Sequence, residues 1–181
     1  MSKAWKRLDG LPVVSCRSSL HLPDRTYVDW LLRVVEDATV SLRALVFIVA
    51  PDRDPEGKVR EVLEAIADAV WRGLDVRVMV GTGRPGSSIE RSNRIAVLYM
   101  KRLGIPVKMI KPLFTHSVHS KAVIADSDTV ILGSHNWTHN ALAHSTEDSI
   151  ACLSSPLADV FSHQFDRLWF DAEVVDAYEG R

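Results

Sequence analysis

The chain has 181 residues, 46% of them hydrophobic and 25% charged, with a formal net charge of -1. This is ordinary for a soluble globular protein and long enough for one domain with a real core. The longest apolar run, Ala44 to Ala50, is too short to cross a bilayer, and the charged start (Met1-Ser2-Lys3-Ala4-Trp5-Lys6-Arg7) has no signal-peptide h-region. Cys16 and Cys152, the two cysteines, sit in apolar, strand-like segments. They are expected as buried free thiols of a cytoplasmic, reducing compartment.

The near-neutral total hides an asymmetry. Residues 1–83 carry 12 basic and 12 acidic side chains. Residues 84–121 carry eight basic ones (Arg84, Arg91, Arg94, Lys101, Arg102, Lys108, Lys111 and Lys121) against Glu90 alone. Residues 122–181 carry two basic and ten acidic. A positive block in mid-chain suits an anionic partner, although a solvated helix face accounts for part of it.

In chain order, Leu11 to Arg17 reads as a first strand. From Asp24, residues Tyr27, Trp30, Leu31, Val34, Val35 and Ala38 recur at helical spacing. Val40 to Val49 is a strand apolar on both faces, closed by Pro51. Pro55 to Gly73 is a second helix and Leu74 to Val80 the next strand. Gly81 to Ser88 is a Gly-rich loop that could cradle a phosphate through its N–H groups, though it lacks P-loop spacing. Ile89 to Leu103 is a third helix and Ile105 to Ile110 a fourth strand.

After that the pattern changes. His119 to Ala125 and Thr129 to Leu132 form a hairpin through Asp126-Ser127-Asp128. Thr138 to Ser145 is a polar loop or a single helical turn, Ser149 to Leu153 a strand, and a last helix begins near Ser155-Pro156. The order β-α-β-α-β-α-β-β-β-β-α implies an α/β fold with a mixed, mostly parallel sheet and helices on both faces. We expect one domain over 1–181, with 1–10 and 172–181 as loose tails, and there is no internal repeat.

Alternate strand residues share a face, so His119 and Lys121 point one way while Ser120, Ala122 and Ile124 point the other. Ser134 and Asn136 project together beyond the partner strand, after Gly133 lets the backbone pass closely. An imidazole, a cation and two hydrogen-bonding groups in one volume are costly for a core, but they suit attack on a phosphodiester. A neutral histidine can be a nucleophile near neutral pH, and Lys121 with the Asn136 amide would stabilise charge on the non-bridging oxygens. Glu147 is the candidate carboxylate to orient the imidazole. Around this centre, Arg84, Arg91, Arg94, Lys111 and His116 are candidates for holding substrate. Trp137 is a candidate for stacking on a base or filling an interface, with core packing as its alternative.

The pattern His119-x-Lys121-x4-Asp126-x6-Gly133-Ser134-x-Asn136 resembles the HKD motif of the phospholipase D superfamily at all six positions. The order of elements over nearly the whole chain resembles that superfamily too, most of all its small bacterial metal-independent endonucleases. The resemblance implies that His119 forms a covalent phosphohistidine, that Lys121 and Asn136 bind the phosphate, and that Ser134 helps position the site. It implies that Glu147 bonds the catalytic histidine and that Asp126 is more structural than catalytic. No metal and no cofactor are implied. The mechanism needs two histidines, so a single motif implies a homodimer with His119 of both chains in one site.

Three functions follow as expectations: a nuclease acting on DNA or RNA, a phospholipid phosphodiesterase, and a non-catalytic binding or assembly module. The basic block favours the first. No amphipathic membrane anchor is visible for the second, so no stable membrane association is expected. His116, His135, His139 and His144 crowd the site, and His135 and His139 stand at i, i+4. A zinc pair there is not expected, because the polar loop breaks the helix it needs.

Overall fold

In the computed structural model, residues 13–111, 118–175 and 177 are described. The elements are β1 (Ser18–Pro23), α1 (Thr26–Asp37), β2 (Ser41–Val46), a 3-10 turn (Pro51–Arg53), α2 (Lys58–Trp71), β3 (Asp75–Gly81) and α3 (Ser88–Arg102). They continue as β4 (Val107–Lys111), β5 (Lys121–Ala125), β6 (Thr129–Gly133), α4 (His139–Ala143), β7 (Asp148–Leu153), α5 (Ser155–Asp171) and β8 (Glu173–Val174).

The strands form one sheet in the order β1-β7-β6-β5-β2-β3-β4-β8. Its faces are covered as the apolar alternation requires. Leu42, Ala44 and Val46 of β2, Val76, Val78 and Val80 of β3, and Val123 and Ala125 of β5 pack into the larger core with α1, α2 and α3. Leu45, Met79 and Ile124 point the opposite way, into clusters completed by Phe165 and Ala158 of α5. Both faces being buried explains why β2 and β3 read as unbroken apolar runs.

The mixed α/β fold stands, but the balance of the sheet corrects the expectation. Only β2–β3 and β3–β4 pair parallel, while β1–β7, β7–β6, β6–β5, β5–β2 and β4–β8 are antiparallel. Long crossovers through α2 and α3 permit the parallel pairs, whereas a three-residue connection such as Asp126-Ser127-Asp128 can only return the chain antiparallel. β1 still runs in the direction of β2. Three strands from the second half of the chain are inserted between them.

Several boundaries shift for local reasons. The first strand among the described residues is Ser18–Pro23; of the expected run Leu11–Arg17, residues 13–17 form no strand and 11–12 lie outside the described residues. β1 is an edge strand whose only buried residue is Leu22, so no apolar run marks it. Helix α2 starts at Lys58 because Gly57 sits at φ 77° and the Asp54 carboxylate accepts the Val59 N–H at 2.6 Å. The stretch expected as a loose tail contributes Glu173–Val174 to the sheet, pairing with Ile110 and Lys111, and Ala177 is buried. Cys16, just ahead of the edge strand β1, is exposed, and Cys152 on β7, one strand in, is half-buried; both are free.

Candidate active site

One end of the sheet gathers the motif. Val46 of β2 is opposite Lys121 of β5, Ala122 opposite Leu132 of β6, Gly133 opposite Ser149 of β7, and Asp148 opposite Pro23 of β1. The carboxyl ends of β2, β3 and β6 therefore meet the amino ends of β5 and β7. Gly133 is required at this crossing, since a Cβ there would run into the Ser149 hydroxyl and the Asp148 carbonyl.

His119 is exposed just ahead of β5, its ring packed at 4.6 Å against Phe47, which follows β2. Lys121 is 7% exposed, in step with Val123 and Ala125 on the larger-core face as alternation requires. Its Nζ lies 3.0 Å from His119 Nδ1, donates to the His119 carbonyl at 2.7 Å and sits 5.2 Å from the Phe47 ring centre. Desolvation pushes the Lys121 pKa down, partly opposed by the nearby charge of Glu147.

Asn136 is fixed by its Oδ1, which accepts the Ile48 N–H at 3.2 Å, so the donor end of the amide is not spent in that bond. Its neighbour Trp137 bonds backbone to backbone with Ile48 and Ala50. Residues 136–137 thus dock beside the segment that carries Phe47. Ser134 stitches β6 to β7, its hydroxyl accepting the Asp148 N–H at 3.0 Å and donating to the Asp148 carbonyl at 3.2 Å. Glu147 is held by backbone bonds to Asp24, its N–H reaching Asp24 Oδ1 at 2.9 Å. Among the described hydrogen bonds none joins Glu147 to His119; the imidazole's Nδ1 faces Lys121 instead. The expected Glu147–His119 bond is therefore absent in the single chain.

The structure places four further residues away from the reacting centre or in other contacts. Asp126 lies at the far end of β5, roughly 17 Å from Lys121 at about 3.3 Å per residue. There its carboxylate accepts the N–H groups of Thr39, Val40 and Ser41 at 2.8, 2.8 and 2.9 Å. Burial would raise its pKa, but these bonds together outweigh burial and hold the carboxyl below its ordinary value. Trp137 is fully buried, its indole N–H donating to the Tyr27 hydroxyl at 3.1 Å, so it cannot stack on a substrate. His135 is also fully buried, stacked on Tyr27 at 4.2 Å and bonded to Ser149 and the Asp24 carbonyl, so no His135–His139 metal pair forms. Arg94 is paired with Glu90 at 2.9 Å, one turn away on α3.

The Gly-rich loop is not an open phosphate cradle either. Glu90 reaches back to the Gly86 N–H at 2.5 Å, and Ser87 caps α3 through the Glu90 N–H at 3.2 Å. An acidic side chain thus holds an amide that a phosphate would need. Arg84 and Lys111 do line a groove with Phe47 and Glu173, and Arg91 is exposed on α3. His116 lies outside the described residues.

Two contributors escaped the sequence reading. Phe47 forms the floor under both His119 and Lys121. Asn93 is fully buried and bonds the Phe47 and Gly81 carbonyls, both at 2.7 Å, and the Val49 N–H at 2.9 Å, locking the segment after β2 to the end of β3. The available signal was a lone amide on the apolar stripe of α3.

A mixed sheet with His119, Lys121, Ser134 and Asn136 gathered at one end fits a phospholipase D-like domain. The family described as "Cardiolipin synthase, PLD-like domain" matches residues 31–169, and the chain belongs to this family, within the phospholipase D superfamily. Nuc of Salmonella typhimurium, a phospholipase D family member, is structurally similar with a TM-score of 0.69 at 21% identity, over 87% of this chain and 99% of that one. Among sequence relatives, a mitochondrial cardiolipin hydrolase of Chlamydomonas reinhardtii is 27% identical over 82% of this chain and 59% of its own length. Cardiolipin synthase A of Pseudomonas putida (strain GB-1) is 24% identical over 88% of this chain and 31% of its own length. The chain thus spans about a third to three fifths of these curated relatives.

Proposed function

We propose that this chain is a phosphodiesterase that hydrolyses nucleic acid through a covalent phosphohistidine, with an active site completed by dimerisation. The observation that carries the reading is His119, exposed and backed by Lys121 and Phe47, beside the groove lined by Arg84 and Lys111. Phosphate entry draws the Lys121 ammonium and the Asn136 amide onto the non-bridging oxygens, where charge accumulates as phosphorus becomes five-coordinate. Nδ1 is then released to a carboxylate, for which Glu147 remains the candidate. Nε2 attacks phosphorus, and the N–P bond forms as the P–O bond to the leaving oxygen breaks. That oxygen takes a proton from the partner's His119. Water, deprotonated by the same imidazole, then attacks the phosphohistidine, breaks the N–P bond and releases the phosphomonoester. None of these steps calls for a metal.

The exposed Arg84 and Arg91 supply positive charge beside the groove, which supports a polyanionic substrate. A second reading, a phospholipid phosphodiesterase, is favoured by the cardiolipin names of the sequence relatives. Among the described residues no helix is long and apolar enough to cross a membrane.

The test is incubation with single-stranded DNA, double-stranded DNA, RNA and cardiolipin vesicles, with EDTA, beside His119→Ala, together with native mass spectrometry. Nucleic-acid cleavage by a dimer, lost in His119→Ala, is expected. Turnover of cardiolipin alone would establish the second reading. Activity surviving in His119→Ala, or an active monomer, would overturn the mechanism.

A further inference from the structure

We infer that Glu56, His139 and His144 bind one divalent transition-metal ion of the zinc type, at a site that shares no residue with the centre built on His119. His139 and His144 bracket α4, and Glu56 belongs to the turn that leads into α2. The two histidines meet through their Nε2 atoms at 2.9 Å, with ring planes at 73°. Glu56 Oε1 lies 3.8 Å from His144 Nε2, and one ligand atom from each of the three residues falls within 4.8 Å of the others.

Tetrahedral zinc with bonds of about 2.0–2.2 Å sets neighbouring ligand atoms about 3.3–3.6 Å apart. The observed separations of 2.9 and 3.8 Å straddle that range. The half-exposed side chains of His144 and Glu56 have room to rotate so that all three ligand atoms, already within 4.8 Å of one another, close onto one ion.

A second observation points to the same ion. Asp54, fully buried, gives Oδ2 to the Val59 N–H, while its Oδ1 has no hydrogen-bond partner. His139 Nδ1 is likewise buried without a partner and lies 3.5 Å from that oxygen. A bond between the two Nε2 atoms alone leaves the His139 tautomer undetermined. A metal on Nε2 forces the proton to Nδ1, where it faces the Asp54 carboxylate. Both unsatisfied atoms are then served at once, in the carboxylate–histidine–metal arrangement that fixes ligand orientation.

Two imidazoles and a carboxylate select zinc-like ions over magnesium or calcium, which prefer all-oxygen shells. The solvent side supplies the fourth ligand as water. Since α4 follows Asn136 and Trp137 directly, the ion clamps that helix to the turn before α2 and acts on stability rather than on the phosphodiester.

The experiment titrates the full chain, stripped of metal, with zinc chloride and separately with magnesium chloride, following binding calorimetrically and by thermal melting. One zinc per chain is expected, with a rise in melting temperature of roughly 5–10 °C at a hundredfold excess over Kd. Magnesium should leave the melting temperature unchanged. His144→Ala, at an exposed position, should keep the metal-free melting temperature and lose the zinc-dependent rise, as should Glu56→Gln. His119→Ala should retain it, which separates this site from the catalytic one. Equal zinc shifts in His144→Ala and the unaltered chain, or no shift in the latter, would overturn the assignment.

Discussion

Lys121 Nζ lies 3.0 Å from His119 Nδ1 and 2.7 Å from the carbonyl oxygen of the same histidine, with the face of Phe47 beside it. Among the described residues, the cation is thus held by the His119 ring nitrogen, the His119 carbonyl and an aromatic ring, with no carboxylate bonded to it. A buried charge in that state attracts a phosphate oxygen strongly, because little solvent competes.

Replacing Lys121 with Met should lower kcat/KM by about 10²–10³-fold, the scale seen when one donor to a developing oxyanion is lost. Stability should change little or rise, since the ammonium is desolvated in the fold. Steady-state kinetics and a melting curve on the same preparation check both parts.

The depressed pKa of Lys121 sets the sign of a pH effect. Activity that needs its charge should fall as pH rises, with a midpoint below the ordinary lysine value of about 10.4. Glu147 opposes the depression, so Glu147→Gln should move that alkaline limb to still lower pH. A pH–rate profile of the two proteins shows the shift; an unmoved limb would mean that Glu147 does not act on Lys121.

Asp126→Ala removes the acceptor for three backbone N–H groups and the Thr39 hydroxyl. The expected loss is about 2–4 kcal/mol from stranded donors and lost charge-assisted bonds. Turnover per folded molecule should stay unchanged, because the residue sits at the wrong end of β5. The carboxyl's lowered pKa means its contribution is present above the unfolded value of about 3.9 and is lost as pH falls through the folded one. Denaturant melts at pH 7 and pH 3 measure this.

Asn93→Ala strands two carbonyls and one N–H in the interior and should cost about 3 kcal/mol. Activity should drop as well, since Phe47 loses the tether that sets the floor under His119. Urea titration and single-turnover rates report the two effects separately.

Trp137→Phe should cost about 1–2 kcal/mol through the lost bond to Tyr27 and leave nucleic-acid affinity unchanged. Binding assays at fixed salt check this directly.

Reading the residues alone recovers what depends on periodicity and local order. The apolar stripes of α1, α2 and α3 were legible because one helix face must be buried, and the shared direction of His119 and Lys121 because strands alternate. Asn136 beyond Gly133 was legible for the same reason. The edge strand β1 was not, since Ser18-Ser19-Leu20-His21 carries no apolar signal on a strand exposed on most of its length.

Where the side chains next to the motif point was settled only by packing. Trp137 and His135 stand on either side of Asn136, yet both turn into the core against Tyr27. Asp126, part of the same motif, anchors the opposite end of the hairpin.

By itself, the sequence determined the candidate reacting groups and most of the elements that carry them, because chemistry resides in residue type and secondary structure in local pattern. Only the tertiary structure decided that β5, β6 and β7 are inserted between β1 and β2. That same packing decided that Lys121 takes His119 Nδ1 where Glu147 was expected, and that His139 and His144 converge on Glu56. These are matters of long-range packing, where contacts between distant segments are set by which faces must be buried together and by no short-range signal.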